Sequence, residues 1–316
     1  MTGQILSGER NGNSIMEHHI EFFSVNVRCR VPFAAEYETY EDRGLLLLPE
    51  TYRADGEPTR LVISCHGAGG SVHTDDAQII NHTLTKYLLA NGYAVMDMAG
   101  LPLAYCKKYQ IDYFNNIGGP IAMDAYYLGY RHCIEAYNLK KEVLLHGASM
   151  GGISSTNLVL DGRIPVLAQT GFCPVLDTYN EIYLHPWSGG LPREALGKLY
   201  SLDRDENGQY LYEEGRIAPY NPMTHPKLKH YPIPVAFWQS VNDLTVSPRV
   251  TEDFVRILKE NGASVSLDLL PDGGHEPQDY GPAVSENAGN IRANGSELFV
   301  TEAVEGAYRF LTQHDR

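Results

Sequence analysis

The segment Glu142–Gly152 constrains the fold more than any other part of the chain. A short apolar run, residues 143–145, has the composition of a buried parallel strand. The pattern G-x-S-x-G follows at residues 147–151, and a run compatible with a helix comes next. A strand that turns sharply into a helix places the serine at the apex, with glycines where side chains would collide. The segment therefore predicts that Ser149 is a nucleophile at a helix N-terminus, where the dipole favours negative charge. A chance Gly/Ser turn is the alternative, because isolated matches to this pattern are common.

The composition is that of a globular protein and argues against some partners. The chain has 316 residues, 43% hydrophobic and 20% charged, enough for one large α/β domain or one domain with an insertion. Its net charge of −14 opposes binding to phosphate backbones and anionic membranes, so we expect neither nucleic acid nor membrane as a partner.

The ends and the cysteines indicate where the chain resides. Residues 1–16 are polar and predict a flexible N-terminal tail, without the apolar region of a signal peptide. No later run has the length of a membrane span. The five cysteines are scattered and form no C-x-x-C pair, which is typical of a reducing compartment. We therefore expect a cytoplasmic location.

Strand and helix patterns alternate along residues 17–316, which we predict to be a single domain. Extended runs at 20–25, 27–31 and 44–49 favour antiparallel strands at a sheet edge. Buried strands are predicted at 61–65, 93–98, 143–145, 165–169, 234–238 and 264–270, and helices at 75–89, 120–137, 149–160, 246–261 and 297–313. This alternation predicts an α/β fold with a doubly wound, mostly parallel sheet.

One stretch interrupts the alternation, at about residues 175–232. It lies between the strand after the nucleophile helix and the next strand, and it contains many aromatic residues. A segment of this length inside a compact domain is usually a lid or an inserted subdomain. Trp187 and Tyr183 are candidate substrate contacts, and the alternative is that these aromatic residues pack the core of the lid itself.

A base and an acid for Ser149 are found by position. Catalytic groups of an open parallel sheet gather at the carboxyl ends of its strands. Asp243 follows the 234–238 strand, and His275 follows the 264–270 strand in a glycine-rich loop. The chain order Ser149, Asp243, His275 suits a catalytic triad in which His275 is the base and Asp243 orients it. Asp177, after the 165–169 strand, is an alternative acid, and Asp243 could also serve as a helix N-cap.

The negative charge that forms during acyl transfer needs two backbone N–H groups. Met150 N–H, next to the nucleophile, is one candidate. The loop His66-Gly-Ala-Gly-Gly70 follows the first central strand, and its glycines permit close approach of the backbone. Ala68 is the second candidate, with Gly69 as an alternative. The side chain of His66 itself is predicted to be structural.

Residues 203–214 match the calcium-loop pattern D-x-D-x-N-G-x5-E. The oxygen ligands would be Asp203, Asp205, Asn207 and Glu214. A hairpin with a turn at Asn207-Gly208 is the favoured alternative, because the match is unpaired. No metal and no cofactor are therefore predicted.

Together, Gly147-Ala-Ser-Met-Gly-Gly152, His66-Gly-Ala-Gly-Gly70, Asn242-Asp243 and Gly274-His275 resemble the α/β-hydrolase superfamily. The resemblance runs from about Leu61 to the C-terminus, excluding the lid. It is nearest to the carboxylesterase, dienelactone-hydrolase and prolyl-oligopeptidase branch. Dienelactone hydrolases use a cysteine nucleophile where this chain has Ser149. Prolyl-oligopeptidase relatives carry a propeller or sandwich that about sixty N-terminal residues cannot build.

The resemblance implies a serine hydrolase that cleaves carboxylic esters through an acyl-enzyme. The tyrosines and Trp187 of the lid suggest short-acyl or hydroxycinnamoyl esters of carbohydrates, so the expected partner is a small-molecule or oligosaccharide ester. A serine peptidase or amidase is the first alternative, and a non-catalytic binding protein on this fold is the second. Acyl length, oligomeric state and lid mobility stay open.

Overall fold

A computed structural model of the chain describes residues 19–75, 77–184, 190–282, 290–293 and 296–315. Its main strands are β1 (His19–Arg30), β2 (Tyr37–Leu48), β3 (Leu61–Cys65), β4 (Ala94–Met98), β5 (Val143–Ala148), β6 (Val166–Phe172), β7 (Val235–Ser240) and β8 (Val265–Leu270). They form one sheet in the order β1-β2-β4-β3-β5-β6-β7-β8. The six strands from β4 to β8 along this order are parallel. Strand β2 is antiparallel to its neighbours β1 and β4. The predicted fold class is confirmed.

The helices cover both faces of this sheet. They are α1 (Thr83–Ala90), α2 (Leu103–Tyr109), α3 (Pro120–Ala136), α4 (Gly151–Asp161), α5 (Leu191–Leu199), α6 (Glu214–Ile217), α7 (Pro248–Glu260), α8 (Pro277–Tyr280) and α9 (Glu302–Gln313). Helices α1 and α9 pack on one face, and α3, α4 and α7 pack on the other. Among the described residues, no helix is both long enough and apolar enough to cross a bilayer.

The central strands are buried along most of their length because both faces of the sheet are covered. In β3, Leu61 and Ile63 contribute to the core beneath α3 and α4, whereas Val62 contributes to the core beneath α1 and α9. All five residues of this strand are buried. Alternating side chains of a parallel strand therefore serve two separate cores, and a continuous apolar run is the expected pattern.

The N-terminal strands differ from the prediction in number and length. Three short runs were expected, whereas the structure has one long hairpin in which β1 pairs with β2 from His19↔Leu48 to Arg30↔Tyr37. The second half of β2 is buried and pairs with β4, while its first half alternates between exposed and half-buried positions. Polar residues inside a hairpin resemble a turn in the sequence, which explains the error.

Two predicted helices begin later than expected. The 75–89 helix is a 3-10 turn, Gln78–Asn81, followed by α1. The 297–313 helix is the short strand β10 (Ser296–Phe299), paired with β9 (Asn290–Ala293), followed by α9. The Thr301 hydroxyl accepts a hydrogen bond from Val304 N–H and so fixes the start of α9.

The segment predicted as a lid contains short helical elements. A π-helical turn, Thr178–Tyr183, precedes α5 and α6, and three 3-10 turns lead to β7. Several hydrogen bonds join this segment to the main domain, and two of them come from α5 and the residues that follow it. Phe33 N–H donates to Ser201 Oγ at 2.8 Å, and Lys198 Nζ donates to the Gln110 carbonyl at 2.5 Å. Its role as a lid stays a prediction, as do the domain limits, and the predicted tail at 1–16 lies outside the described residues.

Candidate active site

The turn between β5 and α4 places Ser149 in a conformation that few residues adopt. Its φ is 53°, in the left-handed region. Glycine is required on both sides of Ser149 because a side chain would clash with the backbone. An added Cβ on Gly147 would lie 2.3 Å from the carbonyl oxygen of Gly151, and one on Gly151 would lie 2.0 Å from the carbonyl oxygen of Cys65. Ser149 N–H donates to the Phe172 carbonyl at 2.9 Å, and its own carbonyl accepts from Val175 N–H at 2.8 Å. The strained turn is thus held by β6 and the loop after it.

Three predicted residues from three different loops meet at this turn. His275 Nε2 lies 2.8 Å from Ser149 Oγ, and His275 Nδ1 lies 2.9 Å from Asp243 Oδ2. The Asp243 side chain is fully buried, whereas 25% of the His275 side chain is exposed. A hydroxyl, an imidazole and a buried carboxylate in this order can pass the serine proton to the imidazole.

Asp243 is held as a carboxylate by donors on both oxygens. Its Oδ1 accepts from the N–H groups of Thr245 and Val246 at 2.8 Å and 3.0 Å, and Gln239 Nε2 donates to Oδ2 at 3.2 Å. Burial raises the pKa of Asp243, but the hydrogen bond from His275 and those backbone N–H groups outweigh it and hold that pKa below its ordinary value. The residue therefore stays charged at neutral pH.

The loop that carries His275 is fastened to the loop that carries Asp243. Gly274 N–H donates to Asn242 Oδ1 at 3.0 Å, and Ser240 Oγ donates to the Asp272 carbonyl at 3.1 Å. Gly273 and Gly274 have φ values of 113° and 55°, which explains why glycines precede His275. The two loops thus present acid and base in fixed relative positions.

The alternative acid, Asp177, has other partners. Its Oδ1 accepts from Tyr179 N–H at 3.0 Å and from Asn221 Nδ2 at 3.1 Å, and its Oδ2 accepts from Asn180 Nδ2 at 2.6 Å. Asp177 therefore caps the π-helical turn and anchors the segment that follows. The geometry favours Asp243 as the acid.

The glycine-rich loop after β3 lies against the nucleophile. A Cβ on Gly67 would be 3.2 Å from Ser149 Cβ. Gly70 N–H donates to the Gly67 carbonyl at 3.1 Å, and Gly69 has a φ of 84°, as the third residue of a type II turn requires. The N–H groups of Ala68, Gly69 and Met150 have no acceptor among the described residues. Their proposed role as oxyanion donors is compatible with this arrangement.

His66 begins this loop and is buried beneath it. Its Nδ1 lies 2.9 Å from Asp97 Oδ2, and its Nε2 lies 3.4 Å from Asn116 Nδ2. Asn116 Oδ1 accepts from Ser154 Oγ at 3.2 Å, on the nucleophile helix α4. The side chains of His66 and Asn116 therefore connect the glycine-rich loop to the helix that follows Ser149, which fits the structural role predicted for His66.

The candidate substrate contacts have different outcomes. Tyr183 is half-buried, and its hydroxyl donates to the Tyr210 carbonyl at 2.9 Å. Its ring packs against Tyr179 and Tyr212, with centroid distances of 5.8 Å and 5.4 Å. These contacts are those of a residue in the core of the inserted segment. Trp187 lies outside the described residues, so its predicted role is not addressed.

The calcium-loop pattern at 203–214 folds as a tight turn. Asp205 Oδ1 accepts from Asn207 N–H and Gln209 N–H at 2.9 Å and 2.8 Å, and Gly208 N–H donates to the Asp205 carbonyl at 3.0 Å. Within the described ranges, neither Asp203, Asp205 nor Glu214 belongs to a cluster of potential metal ligands. The turn occupies one of the two carboxylate oxygens of Asp205.

Three residues near the triad were not predicted from the sequence. Gln239 supports Asp243, Asn116 connects two loops, and Cys173 lies beside Asp243 and His275. Cys173 and Gln239 stand at the carboxyl ends of β6 and β7, so their positions carried a usable signal. Asn116 lies in a long loop where only the tertiary contacts reveal its partners.

The architecture resembles that of several solved hydrolases. Acylaminoacyl peptidase from Pyrococcus horikoshii superposes with a TM-score of 0.56 at 14% identity, covering 93% of this chain and 42% of that one. A puromycin-hydrolyzing peptidase from Mycobacterium tuberculosis gives 0.56 at 16% identity, covering 80% and 36%. S-formylglutathione hydrolase from Agrobacterium tumefaciens gives 0.53 at 14% identity, covering 81% and 87%.

The chain has the α/β-hydrolase fold. It spans about two fifths of the peptidases' length but most of the length of the S-formylglutathione hydrolase. No protein-family model and no curated protein matches the sequence. The α/β-hydrolase fold accounts for the positions of Ser149, Asp243 and His275, each directly after a parallel strand.

Proposed function

We infer that this protein is a serine hydrolase that cleaves carboxylic esters through an acyl-enzyme intermediate. The observation that carries the proposal is the contact chain from Ser149 Oγ through His275 to Asp243, at 2.8 Å and 2.9 Å. The elbow geometry of Ser149 and the glycine-rich loop beside it support the same chemistry. The names of the similar structures include an S-formylglutathione hydrolase and two peptidases.

In the proposed reaction, Ser149 Oγ attacks the carbonyl carbon of the ester while His275 Nε2 takes the hydroxyl proton. The negative charge on the carbonyl oxygen is stabilised by the N–H groups of Ala68 and Met150. The intermediate then expels the alcohol, which receives the proton from His275 and leaves an acyl group on Ser149. A water molecule repeats the sequence and releases the acid. Asp243 keeps its charge throughout and stabilises the imidazolium.

For the substrate, we propose short-acyl or hydroxycinnamoyl esters of carbohydrates or similar small molecules. The side chain of Tyr179 supports this choice, because it keeps 40% of its surface exposed. Flat rings with hydroxyl tips suit sugars and aromatic acyl groups.

The experiment is hydrolysis of a nitrophenyl ester series, acetyl to octanoyl plus feruloyl, by the wild type, Ser149→Ala and Ser266→Ala. Ser266 is an exposed serine on β8 and serves as the matched control. We expect turnover by the wild type and the Ser266 variant and none by the Ser149 variant. The dependence of kcat/KM on acyl-chain length then indicates the size of the acyl-binding pocket. Equal activity of Ser149→Ala and wild type would refute the proposal.

A peptidase or amidase is the second candidate, because two of the similar structures are named as peptidases. The same triad would act on an amide. Matched nitrophenyl ester and nitroanilide substrates with one acyl group distinguish the two. For each substrate, kcat/KM is divided by the rate constant of its uncatalysed hydrolysis by hydroxide. The ester proposal predicts that this ratio is higher for the ester. A higher ratio for the anilide would favour the amidase.

A further inference from the structure

A thiol lies beside Asp243 and His275 of the triad. Cys173 is buried and follows β6, with a φ of 39°. Its N–H donates to the Trp238 carbonyl at 2.9 Å, which fixes the backbone. Its Sγ lies 3.5 Å from Gln239 Nε2 and 3.7 Å from the Gly274 carbonyl, one residue before His275. The thiol therefore packs between the segment that carries Asp243 and the loop that carries His275.

Three ligand atoms of different chemistry converge there. A sulfur from Cys173, a carboxylate oxygen from Asp243 and a ring nitrogen from His275 all lie within 4.8 Å of one another. Nδ1 is the ring nitrogen that contacts Asp243, whereas Nε2 contacts Ser149 Oγ. Thiolate, imidazole and carboxylate form a typical ligand set for zinc.

The distances fit a small divalent ion after a short contraction. Zinc binds sulfur at about 2.3 Å and nitrogen or oxygen at about 2.0 Å, so tetrahedral ligands are separated by roughly 3.3–3.7 Å. Asp243 Oδ2 and His275 Nδ1 are 2.9 Å apart and must separate slightly. The sulfur lies within 4.8 Å of both groups and must approach by at most about 1 Å. All three of these side chains are carried by loops rather than strands. The 25% exposure of His275 gives the ion a route from solvent.

We propose that Cys173, Asp243 and His275 form an inhibitory site for zinc or a similar divalent transition metal. The ion displaces the thiol proton to solvent and binds the thiolate. It also takes the place of the proton on His275 Nδ1, which moves to Nε2. An imidazole that carries its proton on Nε2 cannot accept the proton of Ser149. Metal binding and hydrolysis are therefore mutually exclusive, and the inhibitory effect rests on the proposed function.

Binding itself is tested without any substrate. The metal-free full-length chain is titrated with Co²⁺, which replaces zinc and gives a near-ultraviolet charge-transfer band when a thiolate is bound. We expect one equivalent to produce the band in the wild type and in Cys133→Ser, a buried cysteine of α3. The band is expected to be absent in Cys173→Ser and greatly weakened in His275→Gln. A full band in Cys173→Ser, or none in the wild type, would overturn the site.

Inhibition is the second arm, with each variant compared with its own metal-free rate. Zinc should inhibit ester hydrolysis by the wild type and Cys133→Ser equally, with reversal by a chelator. In Cys173→Ser the inhibition constant should rise by at least about tenfold. Equal inhibition of both cysteine variants would assign the effect to other histidines and reject the proposal. If no variant hydrolyses any ester, the proposed function fails while the cobalt spectrum still decides the metal site.

Discussion

Two histidine–aspartate pairs in this molecule have the same contact distance and different surroundings. His275 Nδ1 lies 2.9 Å from Asp243, and His66 Nδ1 lies 2.9 Å from Asp97. The His275 side chain is 25% exposed, whereas that of His66 is 3% exposed. The second ring nitrogen of His275 faces the hydroxyl of Ser149. That of His66 faces the amide of Asn116.

The difference shows that the pair alone does not make a catalytic base. A base needs a hydroxyl within reach and access for a substrate, and His275 has both. His66 is enclosed beneath the glycine-rich loop, and Asp97 also accepts from the Tyr126 hydroxyl at 2.7 Å. We therefore expect the first pair to control turnover and the second to control stability.

The largest effect should come from removing each histidine in turn. His275→Gln should lower kcat by about 10⁴-fold or more, because the serine loses its base. His66→Gln should retain turnover within about 100-fold, since it acts only through the glycine-rich loop. It should also lower the free energy of unfolding by about 3 kcal/mol, because buried Asp97 loses its imidazole partner and keeps only the Tyr126 hydroxyl and Met98 N–H. Kinetics and denaturant unfolding on both variants measure this. Similar losses of kcat in His275→Gln and His66→Gln would contradict the assignment of one pair to turnover and the other to stability.

We expect the aspartates of the two pairs to differ in the same way, with Asp243 affecting turnover and Asp97 affecting stability. Asp243→Asn should lower kcat by about 10⁴-fold, since the amide stabilises the wrong imidazole tautomer. Asp177→Asn, the matched variant of the alternative acid, should retain kcat within about tenfold. Asp97→Asn should mainly reduce stability, by about 3 kcal/mol. If Asp177→Asn rather than Asp243→Asn abolishes turnover, the assignment of the acid is wrong.

Gln239 offers a smaller change at the first pair. In Gln239→Glu the donor to Asp243 Oδ2 becomes a carboxyl group, which raises the pKa of Asp243. We expect kcat/KM at neutral pH to fall by about tenfold and the acidic limb of the pH profile to move to higher pH. The control is Gln169→Glu, a buried glutamine on β6 that bonds Ser155 and Thr156 instead. An identical pH profile in both variants would contradict the role of Gln239.

The smallest expected effect is a pH dependence of stability at the second pair. Burial lowers the pKa of His66, but the charges of Asp97 and Asp42 outweigh it and raise that pKa above its ordinary value. The stability gained from the charged imidazole is fully present below about pH 6.5 and is lost as the pH rises through the folded-state pKa. Burial raises the pKa of Asp42 to about 7. The free energy of unfolding therefore also falls as Asp42 ionises with rising pH, which is a pH dependence of the same sign.

The stability advantage of the wild type over His66→Gln should therefore be largest in mild acid and shrink at alkaline pH. Denaturant unfolding of both proteins at a series of pH values measures it, and the Asp42 contribution is present in both. An advantage that grows with pH would mean that His66 is neutral in the folded protein.

The predictions that succeeded rest on strong local signals. Residues 143–151 combine a buried strand, two glycines that space requires and a serine at positive φ, so both the elbow and the sheet could be inferred. Alternation of strands with helices then located Asp243 and His275 after their strands. Each of these features is encoded within about ten residues.

The failures concern contacts between distant segments. The hairpin of β1 and β2 depends on pairing across 12 residues of mixed polarity. Helix α9 begins only at Glu302, because β10 occupies Ser296–Phe299. Asn116 meets His66 across 50 positions of the chain, and Cys173 meets Gly274 across 101. No local pattern of side chains specifies such pairs.

The central claim is that Ser149 is a nucleophile activated by His275. The most direct measurement is labelling of the full-length protein with a fluorophosphonate, followed by peptide mass spectrometry. The account predicts one adduct, on Ser149, formed rapidly in the wild type and in His66→Gln, very slowly in His275→Gln and not at all in Ser149→Ala. An adduct on another residue, or labelling of Ser149 at an unchanged rate in His275→Gln, would contradict it.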